Sequence, residues 1–211
     1  FLLGFETGAV YRKNEGGYRR MRTLCLATHN AHKAEELRAV LGNRFEVKTL
    51  SDLGCHEEIP ETGSTFEENS KIKADYVYEK YGVAVLADDS GLEVDALDGR
   101  PGVFSARYAG EPSDPSANNR KLIGELQGKV NRSARFRTVI TLIMDGVTKQ
   151  FSGVVEGSIT PDFKGEVGFG YNPVFVPEGY TQTFHEMGFE ERSRLNHRGQ
   201  AMQKVLEFLG A

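Results

Sequence analysis

Apolar residues near the start of the chain form a short run and then recur at helical spacing. Residues 24–27, Leu-Cys-Leu-Ala, have the length and composition of a buried strand. Residues 31–41 carry apolar side chains at positions 34, 37, 40 and 41, which predicts a helix with one buried face. Gly42 is a residue type that commonly follows the end of a helix. The pattern therefore predicts a strand followed directly by a helix.

A helix and then a strand are predicted further along. Thr65 and Glu68 have the spacing of a capping box, which predicts a helix that begins near Thr65 and runs to about residue 81. Residues 83–87 form a continuous apolar run, typical of a strand buried on both faces. Polar residues follow at 88–91, so we expect the strand to end before them.

The second half of the chain continues the alternation. Residues 118–126 are predicted to be helical, and residues 134–144 alternate apolar and polar positions as a half-buried strand does. Asp145-Gly146 is a hairpin turn signal, so we expect the return strand over residues 149–159. Residues 198–209 show helical spacing and predict the last helix. Together these elements indicate an α/β fold with a mixed sheet.

The first twenty residues differ from the rest of the chain. They carry scattered Gly and Arg and show neither helical nor strand periodicity. We therefore expect residues 1–20 to be an upstream extension without ordered structure, with the natural start at Met21 and a single domain over residues 21–211.

The amino-acid composition limits the classes of protein to which the chain can belong. Of 211 residues, 39% are hydrophobic and 27% are charged, a balance typical of globular proteins. No apolar run approaches the ~20 residues that span a bilayer, so we expect no membrane association. The formal net charge of -4 disfavours polymeric nucleic acid, which requires a basic face. Cys25 and Cys55 are too few for a disulfide framework and indicate a reducing compartment, the cytoplasm.

Four polar clusters stand at predicted element ends, where ligand sites form in open α/β sheets. The first lies between a strand and a helix and consists of Thr28, His29, Asn30, Ala31, His32 and Lys33. Backbone N–H groups at a helix start, together with a lysine, suit an anion such as phosphate. A capped helix with a solvated lysine would show the same pattern.

The second cluster leads into the helix predicted from residue 65. Glu61 stands in a Gly-bearing loop before that helix, where its carboxylate is able to reach a metal ion. A surface carboxylate is the structural alternative. Lys71 and Lys73 fall on different faces of the helix, so we expect only one of them to point into a given cleft.

The third cluster, Asp88-Asp89-Ser90-Gly91, directly follows the predicted buried strand. Two adjacent carboxylates repel each other and are costly to desolvate, so such pairs tend to occur where they bind a cation or shift each other's pKa. Mg²⁺ prefers a few carboxylates together with phosphate oxygens and water. A turn with an aspartate cap is the structural alternative.

The fourth cluster combines an aromatic loop with a helix start. Residues 168–173, Gly-Phe-Gly-Tyr-Asn-Pro, offer a stacking platform for a base, although aromatic rings are more often part of a core. His197 and Arg198 open the last helix and can meet anionic or keto oxygens. The four clusters together supply a phosphate cradle, metal carboxylates and a base platform, which indicates a nucleotide phosphohydrolase.

These residues, in this order, resemble the inosine triphosphate pyrophosphatase family. The resemblance rests on six blocks, at residues 27–33, 61–69, 87–92, 101–108, 169–173 and 196–201. It implies a long central mixed β-sheet flanked by helices, two lobes with the substrate cleft between them, and a homodimer. It also implies Mg²⁺-dependent hydrolysis of noncanonical purine nucleoside triphosphates (ITP, dITP and XTP) to the monophosphate and pyrophosphate, which keeps these nucleotides out of DNA and RNA.

The resemblance further implies roles by position. The residues expected to hold the triphosphate are Thr28, His29, Asn30, Ala31, His32, Lys33 and Lys73. The expected Mg²⁺ ligands are Glu61 and Asp89 with Asp88 in support, and Asp89 would also be the general base for water. Ser90 would contact the substrate, and Phe169 would stack on the purine. The remaining expected contacts to the base and its phosphates are Gly170, Tyr171, Asn172, Arg192, His197 and Arg198.

Four positions depart from the family pattern. They are His29 for Gly, Asn172 for Asp, Arg192 for Lys and Asn196 for Ser. Arg192 keeps the positive charge but not the compact ammonium geometry. Asn172 can donate as well as accept hydrogen bonds. These changes bear on base preference rather than on the type of reaction.

Three other functions share parts of this pattern. A nucleotide sensor without turnover would bind the same ligand, but it would not need two acids beside phosphate. A nucleic-acid-binding domain is disfavoured by the net charge. A related pyrophosphatase that acts on modified pyrimidine nucleotides would use the same chemistry with another base.

Overall fold

The computed structural model describes residues 11–14, 17–20, 22–29, 34–35, 38, 41, 45–163 and 168–210. The chain divides into two compact units. Unit 1 comprises Phe1–Glu61, Lys71–Ala87 and Thr141–Lys149. Unit 2 comprises Thr62–Ser70, Asp88–Ile140 and Gln150–Ala211.

Six strands form one mixed sheet in the order β4-β3-β5-β6-β7-β8. They are β3 (Arg22–Leu26), β4 (Phe45–Thr49), β5 (Ala84–Val94), β6 (Ser133–Met144), β7 (Val147–Ile159) and β8 (Phe175–Pro177). Strand β3 pairs in parallel with β4 and β5, and β7 pairs antiparallel with β8. Asp145 and Gly146 join β6 to β7 with φ of 53° and 74°, the left-handed values that a tight hairpin turn requires. The predicted α/β fold with a mixed central sheet is confirmed.

The helices flank this sheet, and three of them begin at identifiable caps. They are α1 (Phe66–Tyr81), α2 (Pro115–Glu125), α3 (Phe189–Arg194) and α4 (His197–Phe208), with short 3₁₀ helices at Ser51–Leu53, Asp95–Leu97 and Gly102–Arg107. The Thr65 hydroxyl accepts from the Glu68 N–H at 3.1 Å, as the capping-box spacing predicts. Helix α2 begins three residues before the predicted position, because Asp114 caps it and Pro115 starts it.

The helix predicted over residues 31–41 is only partly within the described residues. Ala34, Glu35, Arg38 and Leu41 are helical, and the other positions of that range lie outside the described part of the chain.

The prediction that residues 1–20 lack ordered structure is wrong for two backbone segments. Strands β1 (Tyr11–Asn14) and β2 (Gly17–Arg20) pair antiparallel, with Tyr11 opposite Arg20. A two-stranded ladder requires only backbone hydrogen bonds, so a mostly polar segment can form one without any apolar periodicity.

Each unit has its own apolar core. The core of unit 1 contains buried residues of β3, α1 and β5, and both cysteines are buried there as thiols. Burial raises the pKa of the Cys25 thiol to about 12. The core of unit 2 includes Tyr108, Leu122, Tyr171 and Phe175. Among the described helices, none is both long and apolar enough to cross a membrane.

Candidate active site

Two buried acids lie in the middle of strand β5. The strand continues through Asp88 and Asp89 to Val94, so the prediction that it ends before residue 88 is wrong. Asp88 is 4% exposed and Asp89 is 7% exposed. Buried carboxylates need polar partners, and the strand is able to continue because neighbouring elements provide them.

The partner of Asp88 is Arg198, at the start of helix α4. Arg198 Nε lies 3.4 Å from Asp88 Oδ2, and Arg198 Nη2 lies 3.3 Å from the Ser90 hydroxyl. Residues two apart in a strand share one face of the sheet, so one guanidinium is able to meet both. Asp89 must then face the other side, so the alternation of the strand keeps the two carboxylates apart.

The partner of Asp89 is Asn69, on helix α1. Asn69 Nδ2 donates to Asp89 Oδ2 at 3.1 Å, and the Ser90 N–H donates to Asp89 Oδ1 at 2.9 Å. The Asn69 Oδ1 accepts from the Gly63 N–H at 2.7 Å. A side chain at position 63 would place its Cβ 2.6 Å from the Glu68 Cβ, so only glycine fits there. Asn69 therefore fixes Asp89 and the Gly63 loop together.

The sequence analysis assigns no role to Asn69, although it is the last residue of the block at residues 61–69. A second signal is its place inside a predicted helix, where asparagine is unfavourable unless its side chain forms specific hydrogen bonds. Asn69 is 1% exposed, so its amide is part of the interior of unit 2.

Glu61 and Lys73 form an ion pair in unit 1. The Lys73 ammonium donates to Glu61 Oε1 at 2.6 Å, and Lys73 is only 8% exposed. Lys71, in contrast, forms an exposed pair with Asp75 one helical turn further on. Of the two lysines, Lys73 is therefore the buried one and Lys71 the exposed one.

The described part of the predicted phosphate cluster is limited to Thr28 and His29. The Thr28 N–H donates to the Leu26 carbonyl at 2.8 Å, and His29 Nε2 lies 3.1 Å from the Glu57 carbonyl oxygen. Asn30, Ala31, His32 and Lys33 lie outside the described residues.

The two aromatic rings of the loop at residues 168–173 differ in their exposure to solvent. Phe169 is 77% exposed, as a stacking platform must be. Tyr171 is 4% exposed, and its hydroxyl donates to the Ser105 carbonyl at 2.8 Å. Burial raises the pKa of that hydroxyl above the ordinary value for tyrosine. The Tyr171 ring lies in the core of unit 2, and the expected contact of Tyr171 with the base stays a prediction.

The rest of that loop is held through its backbone. The Gly170 carbonyl accepts from Asn119 Nδ2 at 2.8 Å, and the Asn172 carbonyl accepts from the His185 N–H at 3.1 Å. Asn172 is half-buried. Gly170 has a φ of 56°, in the left-handed region that favours glycine.

The first turn of helix α4 is held by a side-chain cap and by a ring contact. Asn196 accepts from the Arg198 N–H at 3.0 Å and caps the helix, a role in which asparagine and serine are equally effective. The departure from Ser at this position therefore keeps the cap. The His197 ring stacks on Phe136 with 5.3 Å between ring centroids. Arg192, on the preceding helix, donates to the Phe184 carbonyl at 3.3 Å.

The carboxylates of the site fit a metal ion only in part. In the part of the chain that the structure describes, no three His, Cys, Asp or Glu side chains gather to hold one. Asp88 lies beside Arg198 on its face of β5, and the assignment of Glu61 and Asp89 as metal ligands, with Asp88 in support, stays a prediction. Mg²⁺ in phosphoryl-transfer sites takes one or two carboxylates with phosphate and water oxygens, which fits Glu61 and Asp89 in chemical type.

Comparison with known proteins places the chain in a family. The model of the Ham1 family matches residues 24–208. The dITP/XTP pyrophosphatase of Flavobacterium psychrophilum is 46% identical over 185 residues, which cover 88% of this chain and 97% of the relative. The enzyme of the same name from Porphyromonas gingivalis is 47% identical over 190 residues, covering 90% and 98%.

Solved structures agree with this assignment. The Staphylococcus aureus Ham1 protein superposes with a TM-score of 0.85 at 37% identity, over 90% of this chain and 98% of that one. A nucleoside-triphosphatase, dITP/XTP pyrophosphatase, from Mycobacterium abscessus gives a TM-score of 0.78 at 40% identity, over 87% and 98%. The resemblance inferred from the six sequence blocks is thereby confirmed, and the chain belongs to the Ham1 family.

Proposed function

We propose that this protein hydrolyses the noncanonical purine nucleoside triphosphates ITP, dITP and XTP to the monophosphate and pyrophosphate. The observation that carries the proposal is the pair of buried acids on β5, each held by its own polar partner, in a chain closely similar to dITP/XTP pyrophosphatases. Two desolvated carboxylates cost stability, and such a cost is retained where the acids act on a ligand.

Asp89 is the proposed general base. Its two oxygens accept from Asn69 and from the Ser90 N–H, which fixes the orientation of the carboxylate. Asp89 would accept the proton of the water that attacks the phosphorus atom, and pyrophosphate would leave as the P–O bond breaks.

Glu61 and Asp89 are the proposed Mg²⁺ ligands. When bound, Mg²⁺ would offset the negative charge of the phosphoryl oxygens. Lys73 is paired with Glu61 in this structure and would contact the phosphates when the site is loaded. Asp88 would act through Arg198, whose guanidinium it holds beside Ser90.

The base would be recognised by Phe169, His197, Arg198 and Asn172. Phe169 offers an exposed ring for stacking. Hypoxanthine and xanthine carry a 6-keto acceptor where adenine carries an amino donor, so donors from His197 or Arg198 would favour the keto bases. Guanine also carries the 6-keto group, so it must be distinguished by its 2-amino group. Asn172 is the residue proposed to contact that part of the base.

The test is a panel of nucleoside triphosphates assayed for pyrophosphate and orthophosphate, with Mg²⁺ and with EDTA. We expect pyrophosphate from ITP, dITP and XTP far ahead of ATP and GTP, and none with EDTA. Binding without pyrophosphate release would favour a sensor. Preference for modified pyrimidine nucleotides would favour the related pyrophosphatase. Equal hydrolysis of ATP and ITP would refute the proposed specificity.

Arg198→Ala separates base contacts from phosphate contacts. Loss of a charged hydrogen bond costs ~1.5–3 kcal/mol, so we expect kcat/KM for ITP to fall by one to two orders of magnitude. A fall confined to 6-keto bases would place Arg198 at the base, whereas an equal fall for every triphosphate would place it at the phosphates.

We also propose that the protein is a homodimer in the cytoplasm. The homodimer rests on the resemblance, and the reducing compartment rests on two buried cysteines that remain thiols. Light scattering coupled to size-exclusion chromatography tests the oligomeric state, and a monomer at micromolar concentration would contradict it.

A further inference from the structure

Ser105 links the strand that carries Asp89 to the loop that carries Phe169. Its hydroxyl accepts from the Leu92 N–H at 2.9 Å and donates to the Gly102 carbonyl at 2.6 Å. Its main-chain carbonyl accepts from the Tyr171 hydroxyl at 2.8 Å. Leu92 is three residues beyond Asp89 on β5, so one residue is hydrogen-bonded both to this strand and to the aromatic loop.

The link is short because the 3₁₀ helix Gly102–Arg107 lies directly against β5. A Cβ at Gly91 would lie 2.4 Å from the Ser105 hydroxyl and 2.5 Å from the Gly102 carbonyl oxygen. These distances leave no room for any side chain, so the two backbones are in contact. This close contact therefore fixes the position of Ser105 relative to strand β5.

Asn119 supplies a second anchor for the same loop. Its Nδ2 donates at 2.8 Å to the Gly170 carbonyl and at 2.8 Å to the Pro115 carbonyl. Asn119 is 1% exposed, and within the described residues its Oδ1 has no hydrogen-bond partner. A buried acceptor left unpaired is unfavourable, so we attribute the presence of an amide at this position to the two hydrogen bonds that its NH₂ group donates.

We propose that Tyr171 and Asn119 are positioning residues for base recognition, which hold residues 168–173 and so set the place of Phe169 relative to the strand of Asp89. The inference rests on the proposed function. Phe169 is exposed, so its position depends mainly on the loop that carries it. A loop that is already fixed before binding loses less conformational entropy when a purine stacks on the Phe169 ring. Neither positioning residue is expected to touch the reacting atoms.

Tyr171→Phe tests the proposal, because it removes one hydroxyl and keeps the ring in the core. Tyr108→Phe is the matched control. Tyr108 lies in the same core, and its hydroxyl donates to Glu125 at 2.6 Å instead of to Ser105. The measurements are amide hydrogen exchange of residues 168–173, KM and kcat for ITP, and the inhibition constant of pyrophosphate, which has no base.

We expect Tyr171→Phe to speed exchange in residues 168–173 and to raise KM for ITP by ~2–10-fold, the effect of one lost hydrogen bond. We expect kcat and the pyrophosphate inhibition constant to stay within about twofold, and Tyr108→Phe to leave all four values unchanged. Asn119→Leu, which leaves the Gly170 carbonyl without its amide donor, is expected to act in the same direction as Tyr171→Phe.

Unchanged exchange in both loop variants would overturn the proposal. A parallel loss of kcat and of pyrophosphate affinity would also overturn it, since that result indicates a general structural role. If the unmutated protein does not hydrolyse ITP, the proposed function fails, whereas the exchange comparison still decides whether Tyr171 and Asn119 hold the loop.

Discussion

Gly153 on strand β7 lies closer to helix α4 than any side chain would allow. A Cβ at this position would lie 1.9 Å from the His197 carbonyl oxygen and 2.7 Å from the Ala201 nitrogen. Both are backbone atoms, which cannot rotate away as a flexible side chain can. We therefore expect Gly153→Ala to displace the first turn of α4, the turn that carries Arg198.

The size of the effect follows from these distances. Cβ atoms essentially never approach closer than 3.0 Å, so relief from 1.9 Å requires the helix and the strand to separate by about 1 Å. Overpacking of this kind costs typically ~1–3 kcal/mol, and we expect the upper end because the clash is with backbone. At ~2–4 °C per kcal/mol for a chain of this size, the melting temperature should fall by roughly 6–12 °C.

Activity should fall by more than stability alone explains. The contact between Arg198 and Asp88 is already long, at 3.4 Å, and a further shift would break it. A misplacement of about 1 Å in a catalytic site can cost ~10²-fold in rate, so we expect a loss of that order in kcat/KM for ITP.

Thermal unfolding and ITP hydrolysis measure these two effects. Gly124→Ala is the control, since Gly124 lies in helix α2 and a Cβ added there would meet no neighbouring group within 4 Å. That change should stabilise the protein by roughly 0.5–1 kcal/mol and leave activity unchanged. A Gly153→Ala protein with unchanged melting temperature and activity would refute the reasoning.

Three further predictions follow from single residues. Asp89→Asn should abolish turnover while nucleotide binding measured by calorimetry weakens far less, since the amide lacks the basic oxygen; near-normal rates at neutral pH would remove Asp89 from the base role. Thr138→Val should raise the free energy of unfolding by roughly 1 kcal/mol, because among the described residues the buried Thr138 hydroxyl has no partner; a clear loss in denaturant unfolding would contradict this. A chain that begins at Met21 should keep its activity and melting temperature, since the family match begins at residue 24; a large loss of either would show that residues 1–20 stabilise the domain.

Much of the secondary structure could be predicted because it depends on local patterns. The Thr65 cap, the Asp145-Gly146 turn and the buried Cys25 each follow from residue type and spacing. The two acids could be named as a candidate site for the same reason, since adjacent carboxylates beside an apolar run are unusual whatever the fold.

The sequence did not indicate which residues form hydrogen bonds with those acids. Asn69 precedes Asp89 by twenty residues and Arg198 follows Asp88 by 110, and only the folded chain brings each pair together. The family resemblance implies a contact of Tyr171 with the base, whereas the structure buries the Tyr171 ring and exposes that of Phe169.

The sequence by itself thus determined several of the strands and helices and which polar residues are unusual. Only the tertiary structure decided that β5 continues through Asp88 and Asp89, that these acids face opposite sides, and that Ser105 joins the strand to the aromatic loop. The physical reason is that local propensity acts over a few neighbouring residues. The partner that makes a buried polar group tolerable can come from any part of the chain that folding brings within about 3 to 4 Å.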